Sequence, residues 1–346
     1  MSRMRSTAVL VAFIVGVAAS AAAHAKPPLL AVSAEAGGEI VLVDPAKAQV
    51  VERIKVGARP RGLKLTKDRR RLLVALAGAP KTAAKPGAPA ATPPAPSAGL
   101  AVVDVGARKV TKQIATPPSP FAVDLLPDGR TAFMSNSETN EVFVIDTVNG
   151  SIKKKLAVGA EPQAIATRPD GKIVYAVTHS ANELSAIDPT KFTLLGRIDA
   201  GVKPQAILFA PRAGDLAFVL DEGVPTITMI DTRHNQPKGM IVVQALTKTP
   251  TATMQSAVFS PDGKQLYVTT GAGKSVLIVD PAKKAVVAAI DGVGAFPRGI
   301  AMSADGKKLY TANGASNDVA IIDIASKKVE ARIAVPGAPW GVVLIQ

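Results

Sequence analysis

The sequence predicts an all-β protein, a seven-bladed β-propeller of four-stranded antiparallel blades. Three observations lead to this prediction: a repeat of about 42 residues runs down the chain, tight-turn motifs recur at one place within it, and the last segment resembles the opening strand of a further repeat. Four short strands in roughly 40–45 residues are typical of one propeller blade, whereas helical repeats of that length show a 3.6-residue period.

The clearest marker of the repeat is a β-like segment that ends in aspartate, first seen as EIVLVD. Successive aspartates lie 60, 42, 42, 43, 49 and 43 residues apart, and they are Asp44, Asp104, Asp146, Asp188, Asp231, Asp280 and Asp323. Each precedes a turn, where its carboxylate can accept backbone N–H bonds. We therefore interpret the seven aspartates as turn caps and not as acid/base pairs.

Tight turns are predicted between the first and second strands of the repeat. Pro-Asp-Gly begins at Pro127, Pro169 and Pro261, and Ala304-Asp305-Gly306 occupies the equivalent place. Proline presets φ, aspartate bonds its own backbone and glycine tolerates positive φ. Each repeat is therefore predicted to form four short antiparallel strands.

The two ends of the repeat array predict how the ring closes. Pro339 to Leu344 matches the opening strand of a blade, yet no further strands follow it, while the array begins at a second strand near Leu29. The C-terminal strand should therefore complete blade one and leave only short, protected edges. Small residues recur just after each opening proline or its equivalent, as expected where innermost strands converge on an axis: Gly62, Ala122, Ala164, Ala206, Ser256, Gly299 and Gly341.

The first 25 residues have the three parts of a secretory signal peptide. Arg3 and Arg5 give a basic start, an apolar run follows from Ala8 to Ala22, and Ala23-His24-Ala25 supplies the small-residue site. We expect cleavage after Ala25 and a periplasmic or secreted mature protein, with 26–346 as a single propeller domain.

One blade carries an insertion. Residues 79–98 contain six prolines among alanines, a composition that can form neither a strand ladder nor a core. We expect a flexible loop between the second and third strands of blade two.

Composition excludes several classes of function. The chain has no cysteine, so it has no disulfide, no cysteine-bound metal and no covalent c-type haem. Only His179 and His234 lie beyond the signal peptide, too few for a histidine-rich metal site, and we expect no cofactor. No transmembrane segment is expected in the mature chain.

The charge of the chain points to anionic partners. The formal net charge of +14 falls to +12 when Arg3 and Arg5 leave with the signal peptide. A strongly basic protein attracts anions and acidic surfaces. Aromatic residues make up only 4% of the chain, which argues against a groove for nucleic acid, where bases stack on aromatic rings.

The Pro-Asp-Gly turns, Leu266-Tyr267-Val268-Thr269-Thr270 and the closing Ile-x-x-Gly-x-x-Pro segments resemble the YVTN-repeat β-propeller family. The resemblance extends from about Leu29 to Leu344. It implies the fold but not the chemistry, because that family includes surface proteins, exported binding proteins and components linked to quinoprotein oxidation.

The candidate ligand site is the channel mouth on the face that carries the loops entering each first strand. Antiparallel alternation places the loops between second and third strands on the same face. The residue after each opening proline, or its equivalent, should point there: Arg61, Phe121, Gln163, Gln205, Gln255, Arg298 and Trp340. Because blades seven, one and two are neighbours, we expect Arg298, Trp340 and Arg61 to be adjacent, with the glutamines opposite.

Two guanidiniums that flank an indole can hold a carboxylate, a phosphate or a quinone-like ring by bidentate bonding and stacking. The alternative interpretation is that these side chains only fill and hydrate the mouth of the channel. We expect further polar residues on the rim: His179, Asn136, Asn313, Asp221 and Glu222.

The main functional prediction is a monomeric, exported, non-catalytic propeller whose mouth binds a partner protein or a small anionic ligand. No catalytic constellation is apparent in the sequence. An enzyme is the alternative, since propeller lactonases share this architecture and Glu35, Glu138, Glu222 and His179 are predicted on loops of the same face. A third hypothesis, an accessory protein of periplasmic quinoprotein metabolism, is implied by the family resemblance alone.

Overall fold

The computed structural model describes residues 28–79, 98–211, 214–243 and 253–345. These residues form seven four-stranded antiparallel sheets, and their one helical element is the short 3-10 turn Gly271–Gly273. The predicted all-β, seven-bladed architecture is confirmed. The predicted signal peptide and all of the insertion except its end residues lie outside the described residues.

Each sheet is one blade, and in blades two to seven the strands run in chain order from the channel outward. Blade one consists of β1 (Leu30–Ala34), β2 (Glu39–Asp44) and β3 (Gln49–Lys55), with β28 (Pro339–Leu344) as its innermost strand. Blade two consists of β4 (Pro60–Leu65), β5 (Arg71–Ala77), β6 (Ala98–Asp104) and β7 (Lys109–Ala115). Blade three consists of β8 (Pro120–Leu125), β9 (Thr131–Asn136), β10 (Glu141–Asp146) and β11 (Ser151–Ala157).

The remaining four blades repeat this order without interruption. Blade four consists of β12 (Pro162–Thr167), β13 (Val174–Thr178), β14 (Glu183–Asp188) and β15 (Thr193–Asp199). Blade five consists of β16 (Pro204–Phe209), β17 (Leu216–Asp221), β18 (Thr226–Asp231) and β19 (Gln236–Val242). Blade six consists of β20 (Ser256–Phe259), β21 (Leu266–Thr269), β22 (Ser275–Asp280) and β23 (Ala285–Asp291). Blade seven consists of β24 (Pro297–Met302), β25 (Lys308–Asn313), β26 (Asp318–Asp323) and β27 (Lys328–Ala334).

The ring is closed by the C-terminal strand, as predicted. β28 pairs antiparallel with β1, with Leu30 opposite Leu344 and Val32 opposite Val342. The N–H of Ile345 donates to the carbonyl of Leu29 at 2.9 Å. The two ends of the described chain therefore complete one blade, and no long sheet edge is left at the closure.

The core lies between neighbouring blades and not within any one of them. The two middle strands of each blade are almost wholly buried, because both of their faces meet an adjacent blade. Between blades seven and one, for example, Leu30 and Val32 pack with Tyr310, Val319 and Ile333. The outermost strand β3 alternates between exposed and partly buried residues, the period-2 pattern of a strand with one solvated face.

The turn predictions are confirmed. Gly129 adopts φ +65 in the turn between β8 and β9, and its N–H donates to the carbonyl of Leu126 at 2.9 Å. Asp44 Oδ1 accepts the N–H groups of Ala46 and Lys47 at 2.9 and 3.1 Å. The other six periodic aspartates cap their turns in the same way.

Close packing at the axis explains the small residues after the opening prolines. A Cβ on Gly299 would lie 2.7 Å from the carbonyl oxygen of Trp340, and one on Gly62 would lie 2.8 Å from the Cα of Ala122. Both contacts involve backbone atoms, which cannot swing aside. The innermost strands therefore approach each other too closely for larger side chains.

Candidate functional site

A cavity of about 490 Å³ occupies the channel. At its mouth it is lined by residues that follow the opening proline or its equivalent, namely Phe121, Gln205, Gln255, Arg298 and Trp340. Deeper in the channel it is lined by Lys64, Asp124 and the small or aliphatic residues of the innermost strands. The predicted face of the ring therefore opens into a chamber of the size that holds small ligands.

Two guanidiniums stack on one indole at the mouth. The Cζ atom of Arg298 lies 3.8 Å from the ring centre of Trp340, and that of Arg61 lies 4.7 Å from it. Phe121 meets the indole edge to face, with ring centres 5.6 Å apart. Arg298, Trp340, Arg61 and Phe121 come from blades seven, one, two and three respectively, and each follows the proline that begins an innermost strand. The structure therefore brings Arg298, Trp340 and Arg61 together as the sequence predicts.

Positive charge exceeds negative charge in this part of the mouth. Glu35, in the loop after β1, accepts hydrogen bonds from Arg59 at 3.0 and 3.1 Å and from Arg61 at 2.9 Å. Burial lowers the pKa of the Arg61 and Arg298 guanidiniums, which still remain cationic near neutral pH. Glu35 bonds to two of the three guanidiniums and reaches Arg298 only through its charge, so positive charge is in excess here and favours an anionic ligand.

The opposite side of the mouth carries an imidazole between two carboxylates. His179 follows β13 and is 8% exposed. Its Nε2 atom lies 2.9 Å from Glu222 Oε2, and its Nδ1 atom lies 3.5 Å from Glu161 Oε2. The hydrogen bond from His179 lowers the pKa of Glu222, and the positive charge of Arg298 lowers it further. Glu222 and Arg298 therefore interact electrostatically across the mouth.

The three predicted glutamines occupy different positions. Gln205 and Gln255 line the cavity, and Gln255 Nε2 donates to Thr253 Oγ1 at 3.0 Å. Gln163 is 7% exposed, and its Nε2 atom lies 3.5 Å from Glu161 Oε1. Its Oε1 atom is buried and accepts no hydrogen bond from the described residues. Gln163 thus belongs with the His179 group.

Two of the expected rim residues are structural, so that expectation was wrong. Asn136 is fully buried and donates to the carbonyl of Pro117 at 3.0 Å. Asn313 is also fully buried and donates to the carbonyl of Val293 at 2.9 Å. Each amide ends the second strand of its blade and holds the segment that leads into the first strand of that same blade. Neither side chain is available to a ligand.

Asp221 is also buried, so its predicted place on the rim was wrong. It is 1% exposed, and Oδ2 accepts the hydroxyls of Thr226 and Thr228 at 2.7 and 2.9 Å. Oδ1 is buried and has no hydrogen-bond partner among the described residues. Burial raises the pKa of Asp221 to about 7. The carboxyl lies beneath the rim and does not face the arginines.

Lys64 and Asp124 form an ion pair inside the cavity, a site that was not among the sequence predictions. A signal was present in the repeat alignment. Four residues after the opening proline, or its equivalent, five blades carry Ala166, Leu208, Val258, Ala301 and Val343, whereas blades two and three carry the two charges. A comparison of the blades at every position, beyond the one after the proline, identifies the pair.

Neither a metal site nor a membrane span emerges from the described ranges. They hold no group of three or more His, Cys, Asp or Glu side chains arranged to bind a metal ion. They also contain no helix with the length and apolar character needed to cross a bilayer.

Solved structures share the fold at low sequence identity. A putative 6-phosphogluconolactonase from Bacteroides uniformis is 16% identical with a TM-score of 0.71, covering 92% of this chain and 100% of its own. One from Bacteroides fragilis is 14% identical with a TM-score of 0.73, covering 93% and 99%. Hydrazine synthase from Kuenenia stuttgartiensis is 21% identical with a TM-score of 0.71, covering 85% and 91%. At these identities the likeness establishes the propeller fold alone.

Two family models match the sequence, and no curated protein sequence matches it significantly. The seven-bladed β-propeller lactonase model matches residues 190–335, a segment that contains Glu222, Gln255 and Arg298. The YVTN-repeat resemblance stays a prediction, because neither matching model is of that family. The model of the choice-of-anchor I domain matches residues 4–191, more than half of the 346 residues, so the chain belongs to the choice-of-anchor I domain family.

Proposed function

We propose that this propeller is a lactonase-like hydrolase whose substrate is a lactone that carries an anionic group. The observation that carries the proposal is that the Arg298–Trp340–Arg61 stack and the His179–Glu222 pair lie on the same face of the ring, close enough for the charge of Arg298 to lower the pKa of Glu222. The lactonase model and the 6-phosphogluconolactonase-like neighbours support this choice of reaction.

Lactone hydrolysis needs two things from a protein. A base must take a proton from the attacking water, and a donor must stabilise the oxyanion that forms on the carbonyl. Glu222, whose pKa is lowered, is ionised near neutral pH, and its side chain is 32% exposed. The Arg298 guanidinium supplies charged hydrogen-bond donors on the other side of the mouth.

The reaction on this arrangement has two steps. Water adds to the lactone carbonyl carbon, its proton passes to Glu222, and Arg298 stabilises the tetrahedral oxyanion. The ring C–O bond then breaks, and the departing oxygen recovers the proton from Glu222. His179 holds the carboxylate in place through Nε2. Lactone and water are converted to a hydroxy acid, which releases its carboxyl proton to solvent and leaves the new carboxylate beside Arg298.

The test is a panel of lactones with and without an anionic substituent, incubated with purified mature protein while acid release is followed by pH-stat. We expect turnover of the anionic members above the spontaneous rate. A panel that shows no turnover on any member, with folded protein, contradicts the proposal.

Capture of an anionic ligand without turnover is the second candidate. It is favoured by the stack itself, because both guanidiniums contact Trp340 and Glu35 already restrains Arg61 in place. Binding of a hydroxy acid at the mouth with no lactone turnover would establish it. Export of the protein, a monomeric state and a partner protein at this face stay predictions.

A further inference from the structure

An ion pair lies inside the channel, deeper than the mouth. Lys64 on β4 lies three residues beyond Arg61, and Asp124 on β8 lies three residues beyond Phe121. Lys64 and Asp124 line the same cavity as Arg298 and Trp340. The equivalent positions in the other five blades are apolar, so these are the two charges of an otherwise uncharged ring.

The Asp124 carboxylate has a structural role, because it accepts hydrogen bonds from the backbone. It is 6% exposed, its Oδ1 atom accepts the N–H of Leu125 at 2.8 Å, and its Oδ2 atom accepts the N–H of Thr167 on β12 at 2.7 Å. The Lys64 ammonium also bonds to Oδ1. Asp124 therefore links blades three and four and holds Lys64 in place.

The Lys64 ammonium, by contrast, has hydrogen-bond donors to spare. An ammonium has three donors, and among the described residues Asp124 is the acceptor it uses. The Lys64 side chain is 42% exposed, and the space next to it is the channel cavity. It therefore keeps donors for a group that enters the channel.

The two cationic points lie at different depths of one chamber. Three residues of strand span roughly 10 Å. Between the two levels the wall consists of small and aliphatic residues of the innermost strands, such as Gly62, Ala122 and Val123. A complementary ligand has an anionic group at each end and a slender middle.

We propose that Lys64 is a second anion-binding point, so that the channel takes an elongated ligand with two anionic ends. This inference deepens the proposed function and rests on it for the identity of the reacting group. The lactone ring lies at the mouth near Arg298, and an anionic tail extends inward to Lys64. Hydrolysis then leaves a diacid, with its new carboxylate at the mouth and its tail still at Lys64.

The test is titration calorimetry of the full mature protein with α,ω-dicarboxylates from succinate to azelate, each compared with the monocarboxylate of the same chain length. We expect one intermediate length to bind at least tenfold more tightly than its monocarboxylate. Lys64→Gln should reduce that ratio to within twofold and leave monocarboxylate affinity unchanged, whereas Lys64→Arg should retain it. The double variant Lys64→Gln/Asp124→Asn removes both charges and serves if the single variant is unstable.

Three results overturn the inference: equal affinity for dicarboxylates and monocarboxylates in the wild type, no binding of any dicarboxylate, or a preference that survives Lys64→Gln. The hydrolase proposal fails separately. Dicarboxylate preference that depends on Lys64, without turnover of any lactone, removes the hydrolase but leaves the Lys64 site. Lactone turnover that is equally fast with and without an anionic tail removes the Lys64 site but leaves a hydrolase.

Discussion

The Arg298 guanidinium stacks on the indole of Trp340, with Cζ 3.8 Å from the ring centre. Trp340 lies on β28, the strand that closes the ring by pairing with β1, and Arg298 comes from the neighbouring blade seven. The strand that closes the ring therefore also brings Trp340 into the mouth. Opening the C-terminal clasp would remove the indole from between its two guanidiniums.

Trp340 provides a direct optical readout of the mouth, because it is the one tryptophan in the sequence. A carboxylate that binds Arg298 changes the cation–π contact with the indole, so the emission of the folded protein should change saturably with ligand concentration. Fluorescence titration with hydroxy acids measures this. Arg298→Gln should abolish the change, and an equal response in that variant would place binding elsewhere.

His179 is expected to tune Glu222 through the hydrogen bond from Nε2. That bond lowers the pKa of Glu222, so its removal in His179→Gln should raise the pKa of the carboxylate. The base then stays protonated to a higher pH, and the acid limb of the lactone pH–rate profile should move to higher pH. His234→Gln is the matched control, since His234 is 66% exposed and bonds to Asp231 in a turn at the other face. Identical profiles for the two variants would contradict the role given to His179.

Burial of Asp221 should make stability fall as pH rises toward neutrality. An unfolded aspartate has a pKa near 3.9, whereas the pKa of folded Asp221 is about 7. Between these values the folded protein holds a proton that the unfolded chain has lost, so the free energy of unfolding falls as pH rises through that window. Above about pH 7 the penalty is complete.

Asp221→Asn should remove most of this dependence and raise the thermal unfolding midpoint at about pH 8 by several degrees, since the buried negative charge is eliminated. Asparagine already holds the equivalent position as Asn136 and Asn313 in blades three and seven. Calorimetry between about pH 5 and pH 8 measures the effect. Asp199→Asn, at an exposed aspartate, should leave the slope unchanged; a flat profile in the wild type would refute the prediction.

Gly299→Ala should destabilise the ring by about 1–3 kcal/mol, because the added Cβ would lie 2.7 Å from the carbonyl oxygen of Trp340 and innermost strands would have to separate. Urea unfolding measures the free energy. Gly196→Ala is the matched control, since nothing lies within 4 Å of a Cβ at that position on β15. Equal stability of the two variants would mean that the innermost strands can separate at little cost, which would contradict the prediction.

The repeat made the fold predictable because the same short-range chemistry occurs in every blade. Turn motifs such as Pro127-Asp128-Gly129 and the capping aspartates set the strand boundaries, and the surplus strand at Pro339 set the closure. The Arg298–Trp340 contact was predictable for the same reason, since ring order makes the blades that carry these residues neighbours.

The burial of polar side chains at strand ends could not be predicted from the sequence. Asn313 and Asp221 look like rim residues in a list of loop ends, yet both point under the rim, where they meet backbone carbonyls or threonine hydroxyls. Whether a polar residue at a strand end points up to solvent or down into its own blade depends on hydrogen bonds that exist only once the blade has folded. Lys64 and Asp124 were missed for a different reason: they stand out only when the blades are compared four residues after the opening proline or its equivalent, where the other five blades carry apolar residues.

The most direct test of the central claim is the rate of lactone hydrolysis by wild-type protein and by Arg298→Gln, measured side by side on the same anionic lactone. We expect kcat/KM to fall by about 10²–10³ in the variant, because the oxyanion loses its charged donor. Arg108→Gln is the control, an exposed arginine paired with Glu52 away from the mouth, and should match the wild type. Undiminished hydrolysis by folded Arg298→Gln would contradict the account.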